Sequence, residues 1–253
     1  MSRDKIYHTK ASSDAAARLK KAMLAYHDFR KEQVSHNLSQ QLIQLTNWQS
    51  ERLKQTHQDL YQSPGYTLGL QFLLSDLYSA KDFSDRDRDL ERIFPKIIKL
   101  LPKSIVDTVG LLVELNLLTK TLDYQLTQTI FEKLNHSVVD EQNYCDGYRH
   151  CNNQVQRNHQ IQLISEVGKK LDRYARSSVI NFSLKITEAP AEMAGLEALH
   201  SFIMQGFSAF HSMENVSLMM QTLVQRETQI LDNIFQYRKR PFDLNPNTPQ
   251  KRS

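Results

Sequence analysis

Two pairs of glutamate and histidine in the last quarter of the chain have the spacing of metal ligands. Glu197 stands three residues before His200, and His211 stands three residues before Glu214. Side chains three residues apart share a helix face, and di-iron carboxylate bundles use a Glu-x-x-His pair on each of two helices. However, His200 and His211 lie about 16 Å apart along one helix axis, so they can share a metal only if the helix breaks near Gly206. The sequence therefore predicts no metal site, and Glu197 and His200 are the candidate ligands if one exists.

A second group combines aromatic and ionisable residues in one short stretch: Tyr144, Asp146, Tyr148, Arg149 and His150. In a helical bundle such side chains form either a buried hydrogen-bonded network or the wall of a ligand pocket, and both interpretations stay open. If the protein is an enzyme, the candidate catalytic residues are Tyr148 and Arg149, with Asp172 from the following helix. Five other histidines are scattered and are predicted to be solvated: His27, His36, His57, His136 and His159.

A third group alternates acids and arginines between Lys81 and Asp89. Acidic side chains at the start of a helix stabilise its N-terminal dipole, so a capped and solvated helix start explains the pattern. The same residues could instead dock a partner, and the candidate binding residues are Asp82, Asp85, Arg86 and Asp89.

Apolar periodicity places these groups on helices. Val34, Leu38, Leu42, Leu45 and Trp48 follow one another at spacings of four, four, three and three residues, which is one face of a helix. Residues 14–62 are predicted to form one long amphipathic helix, or two with a break near residues 35–37. Further helices are predicted over 66–78, 84–101, 104–118, 122–134, 137–176, 178–187, 196–213 and 216–237, with possible weak points at Gly147 and at residues 151–153.

The composition favours helices throughout. Gly and Pro number only seven each in 253 residues, and no segment alternates apolar and polar residues as a strand would. The predicted fold class is all-α, a single bundle of about eight to ten helices. We predict three regions, a disordered N-terminus (1–13), a helical domain (14–237) and a disordered basic tail (238–253).

The charge distribution argues against a nucleic-acid-binding domain. The net charge is +4, and residues 238–253 hold five basic residues against Asp243, which accounts for all of it. A nucleic-acid-binding domain usually carries its excess charge on a folded face. We also find no signal peptide, no stretch long enough to span a membrane, and two cysteines without a disulfide or metal spacing, so a cytoplasmic location is predicted.

The segment FLLSDLY at residues 72–78, followed by SAKDFSDRDRDL, resembles the bacterial FFLEELY-motif protein family. The chain departs from the name motif at Leu73, Ser75 and Asp76. The similarity continues on both sides of the motif over most of residues 45–235, including Trp48-Gln49, Arg52-Leu53, Tyr148-Arg149 and Ala189-Pro190. The resemblance implies a shared fold and no particular activity.

Two functions are consistent with these patterns. The first is a non-catalytic helical adaptor that binds a protein partner through its first long helix and the 81–89 loop. The alternative is a helical-bundle enzyme or small-ligand-binding protein with an interior polar pocket. Familiar catalytic and nucleotide-binding motifs are absent, so no cofactor is predicted. The sequence does not indicate an oligomeric state.

Overall fold

The structure, a computed structural model, describes residues 2–33, 38–73, 84–100, 102–178, 180 and 188–244. All regular secondary structure in these residues is helical, which confirms the predicted all-α class. The helices are α1 (Ser2–His8), α2 (Asp14–Gln33), α3 (Ser39–Thr56), α4 (Gln58–Gln62), α5 (Thr67–Phe72), α6 (Ser84–Leu100), α7 (Lys103–Gln128), α8 (Glu141–Cys151), α9 (Gln154–Ala175), α10 (Glu188–Met193), α11 (Glu197–His211) and α12 (Val216–Phe235), and a π-helical turn, Thr129–Lys133, continues α7.

Helix α7 is the centre of the fold. Its buried residues, which include Leu111, Val113 and Leu122, occupy more than one face of the helix. It packs most extensively against α2 and also contacts α9 and α3. At Gly110 a Cβ atom would lie 3.4 Å from the backbone nitrogen of Leu19, an ordinary van der Waals contact, so the packing of α2 leaves just enough room for an alanine. None of the helices in the described ranges combines the length and apolarity needed to cross a membrane.

Helices α9 and α12 form the second extensive pairing. A Cβ atom at Gly168 of α9 would lie 2.6 Å from the terminal methyl group of Met220 on α12, so this glycine admits the methionine. Helix α11 packs across α5, α6 and α9 and contributes Phe210 to the core at that end. The described residues form four buried apolar clusters, which include one around α2 and α7, one between α3, α7, α8 and α12, and one enclosed by α9, α11 and α12.

The prediction that residues 1–13 are disordered is wrong for residues 2–8, which form α1. Ile6 is fully buried in a cluster with Leu19 and Phe94, so the segment is held by apolar contacts with α2 and α6. Arg3 adds an ion pair with Asp28 of α2, at 2.7 Å. In place of one predicted helix over residues 14–62, the structure has α2, α3 and the short α4. The suggested break at residues 35–37 lies outside the described residues.

The first residues of the predicted tail pack against the helical domain. Pro241 is buried, and its carbonyl oxygen accepts a hydrogen bond of 3.0 Å from Asn233. The Phe242 ring lies 5.9 Å from the Trp48 ring and 6.1 Å from the Tyr144 ring. Residues 238–244 therefore belong to the folded body, and residues 245–253 lie outside the described part of the chain.

Several helix boundaries differ from the periodicity-based ones. The two helices predicted over 104–118 and 122–134 are joined, because α7 is continuous from Lys103 to Gln128, with Thr119 and Leu122 buried. Helix α8 begins at Glu141 and not at the predicted residue 137, and its cap is Asp140, whose carboxylate accepts a hydrogen bond from the Asn143 backbone. The predicted weak point near residues 151–153 is confirmed, since Asn152 adopts a left-handed conformation (φ 48°) that separates α8 from α9.

Candidate functional site

A cavity of about 150 Å³ lies between α3, α4, α5, α7, α8, α9, α11 and α12. Its wall is mainly aliphatic, with residues such as Leu112, Ile164, Val167, Leu223 and Ile230. Polar side chains meet at one part of the wall, and the ionisable ones are Arg52, His57, Arg157, Glu227 and three tyrosines. Ligand sites commonly have this composition, a mostly apolar wall with a few convergent polar groups.

The first polar group connects α3, in the N-terminal part of the chain, with α12, the last helix described. Arg52, near the C-terminal end of α3, donates from Nη1 to both carboxylate oxygens of Glu227 on α12, at 2.6 and 2.7 Å. His57, between α3 and α4, places Nε2 2.8 Å from Oε1 of the same carboxylate. Arg52 and His57 are buried, with 9% and 3% of their surface exposed. The Glu227 carboxylate is therefore shared by two buried nitrogen donors.

Glu227 and Arg52 are both charged in the folded protein, because each favours the charged form of the other. Burial opposes ionisation of Glu227, but the Arg52 charge and the hydrogen bonds from His57 and Arg52 outweigh it and lower the pKa of Glu227 to about 2. Burial likewise opposes the charge on Arg52, but Glu227 raises the pKa of the guanidinium. Because an ionised carboxylate only accepts hydrogen bonds, His57 must carry a proton on Nε2.

The second polar group lies on α9 and α7. Arg157 donates from Nη2 to the Leu122 carbonyl oxygen at 3.2 Å, and its Nη1 lies 3.8 Å from Oδ1 of Asp123. Gln49 donates to the same Oδ1 at 3.1 Å. Burial raises the pKa of Asp123, although Arg157 and Gln49 oppose this. Asp123 is thus a buried acid that Gln49 of α3 and Arg157 of α9 contact from two sides of the chain.

Aromatic rings connect the two groups. The Tyr144 and Tyr148 rings, one turn apart on α8, have centroids 4.6 Å apart. The Arg157 guanidinium lies 4.4 Å from the centroid of the Tyr148 ring, a cation–π distance. Burial and the neighbouring Tyr148 raise the pKa of Tyr144 well above its usual value, so its hydroxyl is neutral.

Nε of Arg52 and Nδ1 of His57 are buried nitrogen atoms without a hydrogen-bond partner among the described residues. Buried polar atoms are almost always paired in folded proteins, because leaving one unpaired costs roughly 1–3 kcal/mol. Both residues line the cavity. The two nitrogens are themselves enclosed by protein, and the side chains that carry them form part of the cavity wall.

The structure does not bring the predicted metal ligands together. Helix α11 is continuous from Glu197 to His211, so His200 and His211 cannot share a metal. Nδ1 of His211 donates to the Ala175 carbonyl at 2.7 Å, and Glu197 is exposed. Within the described part of the chain, no three His, Cys, Asp or Glu side chains are grouped as metal ligands.

The candidate partner-binding residues are only partly described. Asp82 lies outside the described residues, whereas Asp85 and Arg86 lie in the first turn of α6. Asp89 accepts a hydrogen bond of 3.0 Å from Arg92, and Arg92 also bonds the Gly195 carbonyl oxygen. The described end of the acid–arginine segment therefore contains an ordinary ion pair within one helix.

The predicted aromatic group divides into two parts. Tyr144 and Tyr148 line the cavity, as the pocket interpretation requires. Arg149 instead bonds Asp146 and the Ile234 carbonyl oxygen on a different face of α8. His150 is exposed, and Asp172 is bonded to Arg176 at 2.8 Å. Of the three candidate catalytic residues, only Tyr148 reaches the cavity.

Sequence reasoning missed most of the polar cavity residues, and the prediction that His57 is solvated is wrong. The sequence does contain one signal that points to Glu227 and Arg157. Glu227 interrupts an apolar face of α12 that includes Leu223 and Ile230, and Arg157 interrupts one of α9. An ionisable residue at an apolar position of a helix is either paired in the interior or functional, and here it is paired.

No curated protein and no solved structure matches the chain. A family model does match it, over residues 28–241, and this range includes every residue that lines the cavity. The chain thus belongs to the family described as domain of unknown function (DUF8198).

Proposed function

We propose that the protein binds a small, mainly apolar molecule in the interior cavity. The observation that carries the proposal is a mainly apolar cavity whose wall includes the buried Arg52–His57–Glu227 group, in which Nε of Arg52 and Nδ1 of His57 lack partners among the described residues. An apolar cavity of about 150 Å³ is large enough for a benzene-sized molecule. The ligand's apolar part contacts the aliphatic wall, and its polar group lies at the part of the wall formed by Arg52, His57 and Glu227.

The buried ion pair gives the site rigid polar groups. Arg52 and Glu227 are joined by two short hydrogen bonds, and His57 is held by a third. Polar groups fixed in this way bind a ligand without first having to be ordered, which favours affinity. The arrangement therefore suits recognition of one defined polar group.

Binding of fluorobenzene, a neutral probe of the right size, tests the proposal directly. We expect the fluorine NMR signal of the probe to shift and broaden on addition of the wild-type protein. Val167→Phe places a larger side chain at the cavity wall and should abolish this effect. Val113→Phe is the matched control, because Val113 is equally apolar and buried but lies in the α2–α7 core. Unchanged probe spectra with wild-type protein, or equal binding by both variants, would refute the proposal.

The adaptor hypothesis stays a prediction with less support. The apolar face of α2 is used within the fold, where Leu19 and Met23 are buried in the α2–α7 core. The 81–83 part of the proposed docking loop lies outside the described residues. A stoichiometric protein recovered with the tagged chain from its own host would favour the adaptor hypothesis.

We also propose that the protein belongs to the bacterial FFLEELY-motif family and is located in the cytoplasm. Phe72, the first residue of the motif segment, is buried against Phe202 and Phe210, as expected for a structural motif. Both cysteines are free, which suits a reducing compartment. Fractionation of the native host, with detection of the protein, tests the location.

A further inference from the structure

The polar end of the cavity is the part of its wall formed by Arg52, His57 and Glu227. Both carboxylate oxygens of Glu227 accept hydrogen bonds from Arg52, and Oε1 also contacts His57. The guanidinium and the carboxylate are both ionised, since each stabilises the charge of the other. The charges of Arg52 and Glu227 therefore cancel within the protein, before any ligand is bound.

Arg157, the second arginine of the wall, also finds its partners within the protein. Its Nη1 lies 3.8 Å from Oδ1 of Asp123 and donates to Oε1 of Gln160 at 3.5 Å, and its Nη2 donates to the Leu122 carbonyl oxygen. The Tyr148 ring lies against the same guanidinium, 4.4 Å from ring centroid to Cζ. Only 2% of the surface of Arg157 is exposed. A carboxylate, two amide-type oxygens and a ring face thus already surround its charge.

This pairing determines which ligands the cavity can accept. A charged ligand would lose its water and meet no opposite charge that is not already engaged, and burial of an ion under these conditions is strongly unfavourable. An uncharged alkyl group has no such cost. Its transfer from water to a wall of residues such as Leu112, Ile164 and Leu223 is favourable, because it removes apolar surface from water and gains dispersion contacts.

We propose that the cavity selects against charge and that its ligand is an uncharged alkyl compound with a single polar group, such as a hydroxyl or a carbonyl. This inference rests on the proposed function and specifies the class of ligand. An acid or amine of the same chain length enters only in its uncharged form, after exchanging one proton with the solvent. The cavity volume of about 150 Å³ limits the ligand to about six to ten non-hydrogen atoms.

The ordinary pKa values of the head groups give the size of the selection. At pH 7 a carboxylic acid with a pKa of about 4.5 is uncharged in roughly one molecule in 300, and an alkylamine with a pKa of about 10.5 in roughly one in 3,000. If only the uncharged form binds, the apparent affinity falls by the same factor. Hexanoate should therefore bind about a hundredfold or more weakly than hexanol, and hexylamine about a thousandfold or more weakly.

Displacement of bound fluorobenzene from the full chain, followed by fluorine NMR, compares these ligands at one site. At neutral pH we expect hexanol to displace the probe, whereas hexanoate and hexylamine at the same concentration should leave it bound. Hexanamide is the matched control for hexanoate, because it has nearly the same shape without the charge, and it should displace the probe as well. Displacement by hexanoate or hexylamine at the concentrations at which hexanol acts would overturn the inference.

A variant pair tests the physical origin of the selection. Glu227→Gln removes the charge that balances Arg52, so the ratio of hexanol affinity to hexanoate affinity should fall by about tenfold or more. Glu114→Gln is the matched control, since Glu114 pairs with His159 away from the cavity, and its ratio should equal that of the wild type. An unchanged ratio in folded Glu227→Gln protein would contradict the role assigned to the ion pair. The wild-type comparison does not depend on the folding of this variant.

The same measurements separate this inference from the proposed function. Fluorobenzene binding with equal displacement by hexanol, hexanoate and hexylamine refutes the selection against charge and leaves the proposed function intact. Fluorobenzene binding that hexanol does not displace refutes the alkyl ligand. Absence of fluorobenzene binding by the wild-type protein refutes the proposed function itself.

Discussion

Glu227→Gln tests how much the buried ion pair stabilises the fold. The substitution keeps the shape of the side chain but removes the negative charge that Arg52 and His57 share. Arg52 then stays charged and buried, with no opposite charge beside it. Removing one partner of a buried ion pair typically costs about 3–5 kcal/mol, because the remaining charge has lost both water and its partner.

The pKa of Glu227 gives an independent magnitude. In the folded protein it lies at about 2, against an ordinary value of 4.5. A difference of this size corresponds to about 3 kcal/mol of folding free energy at neutral pH. Because the folded-state pKa is the lower one, this contribution is complete above about pH 5 and is lost as the pH falls toward about 2. The contribution should therefore fall to about half or less by about pH 3.

Urea unfolding followed by far-ultraviolet circular dichroism measures both quantities. We expect Glu227→Gln to lower the free energy of unfolding by about 3 kcal/mol or more at neutral pH, and by much less at about pH 3. Glu114→Gln is the control, since Glu114 is paired with His159 at the surface and should contribute less than about 1 kcal/mol. A loss below about 1 kcal/mol for Glu227→Gln, or one that does not depend on pH, would contradict the reasoning.

Three further predictions concern packing and reactivity. Gly147→Ala should lower the free energy of unfolding by about 1–3 kcal/mol, because the new Cβ would lie 2.7 Å from a buried isoleucine. Gly110→Ala should raise it by up to about 1 kcal/mol in the same assay, because alanine favours the helix and its Cβ has room there. Burial raises the pKa of Cys145 to about 12, so mass spectrometry should find iodoacetamide on the half-exposed Cys151 alone until the protein is unfolded. Phe242→Ala should accelerate tryptic cleavage at the exposed basic residues before it, and an unchanged rate would show that the ring does not hold this segment.

The long helices could be predicted because their apolar periodicity repeats over several turns. Helix α12 begins at Val216 as predicted, and the break between α8 and α9 falls at Asn152 within the predicted weak point. Helix α1 could not be predicted, since seven residues hold too little periodicity. It is ordered by contacts of Ile6 with residues distant in sequence. Phe242 was missed for the same reason, because its partners lie in α3 and α8.

The candidate site could be predicted only in part. Tyr144 and Tyr148 were found because they lie one turn apart and form a visible local pattern. Arg52 and Glu227 are 175 residues apart, and no short motif connects them. Only the topology, which places α3 beside α12, creates the ion pair. Searching helices for charged residues on their apolar faces would have identified Glu227 and Arg157.

The same separation constrains the order in which the protein can be assembled during synthesis. Arg52 leaves the ribosome long before Glu227, and until then no partner exists for its charge. A nascent chain that lacks α12 also lacks one wall of the cavity, which includes Leu223 and Ile230. Domains generally fold as units once their sequence has emerged. The polar end of this cavity is therefore among the last parts of the fold to form, and a chain released early would expose it.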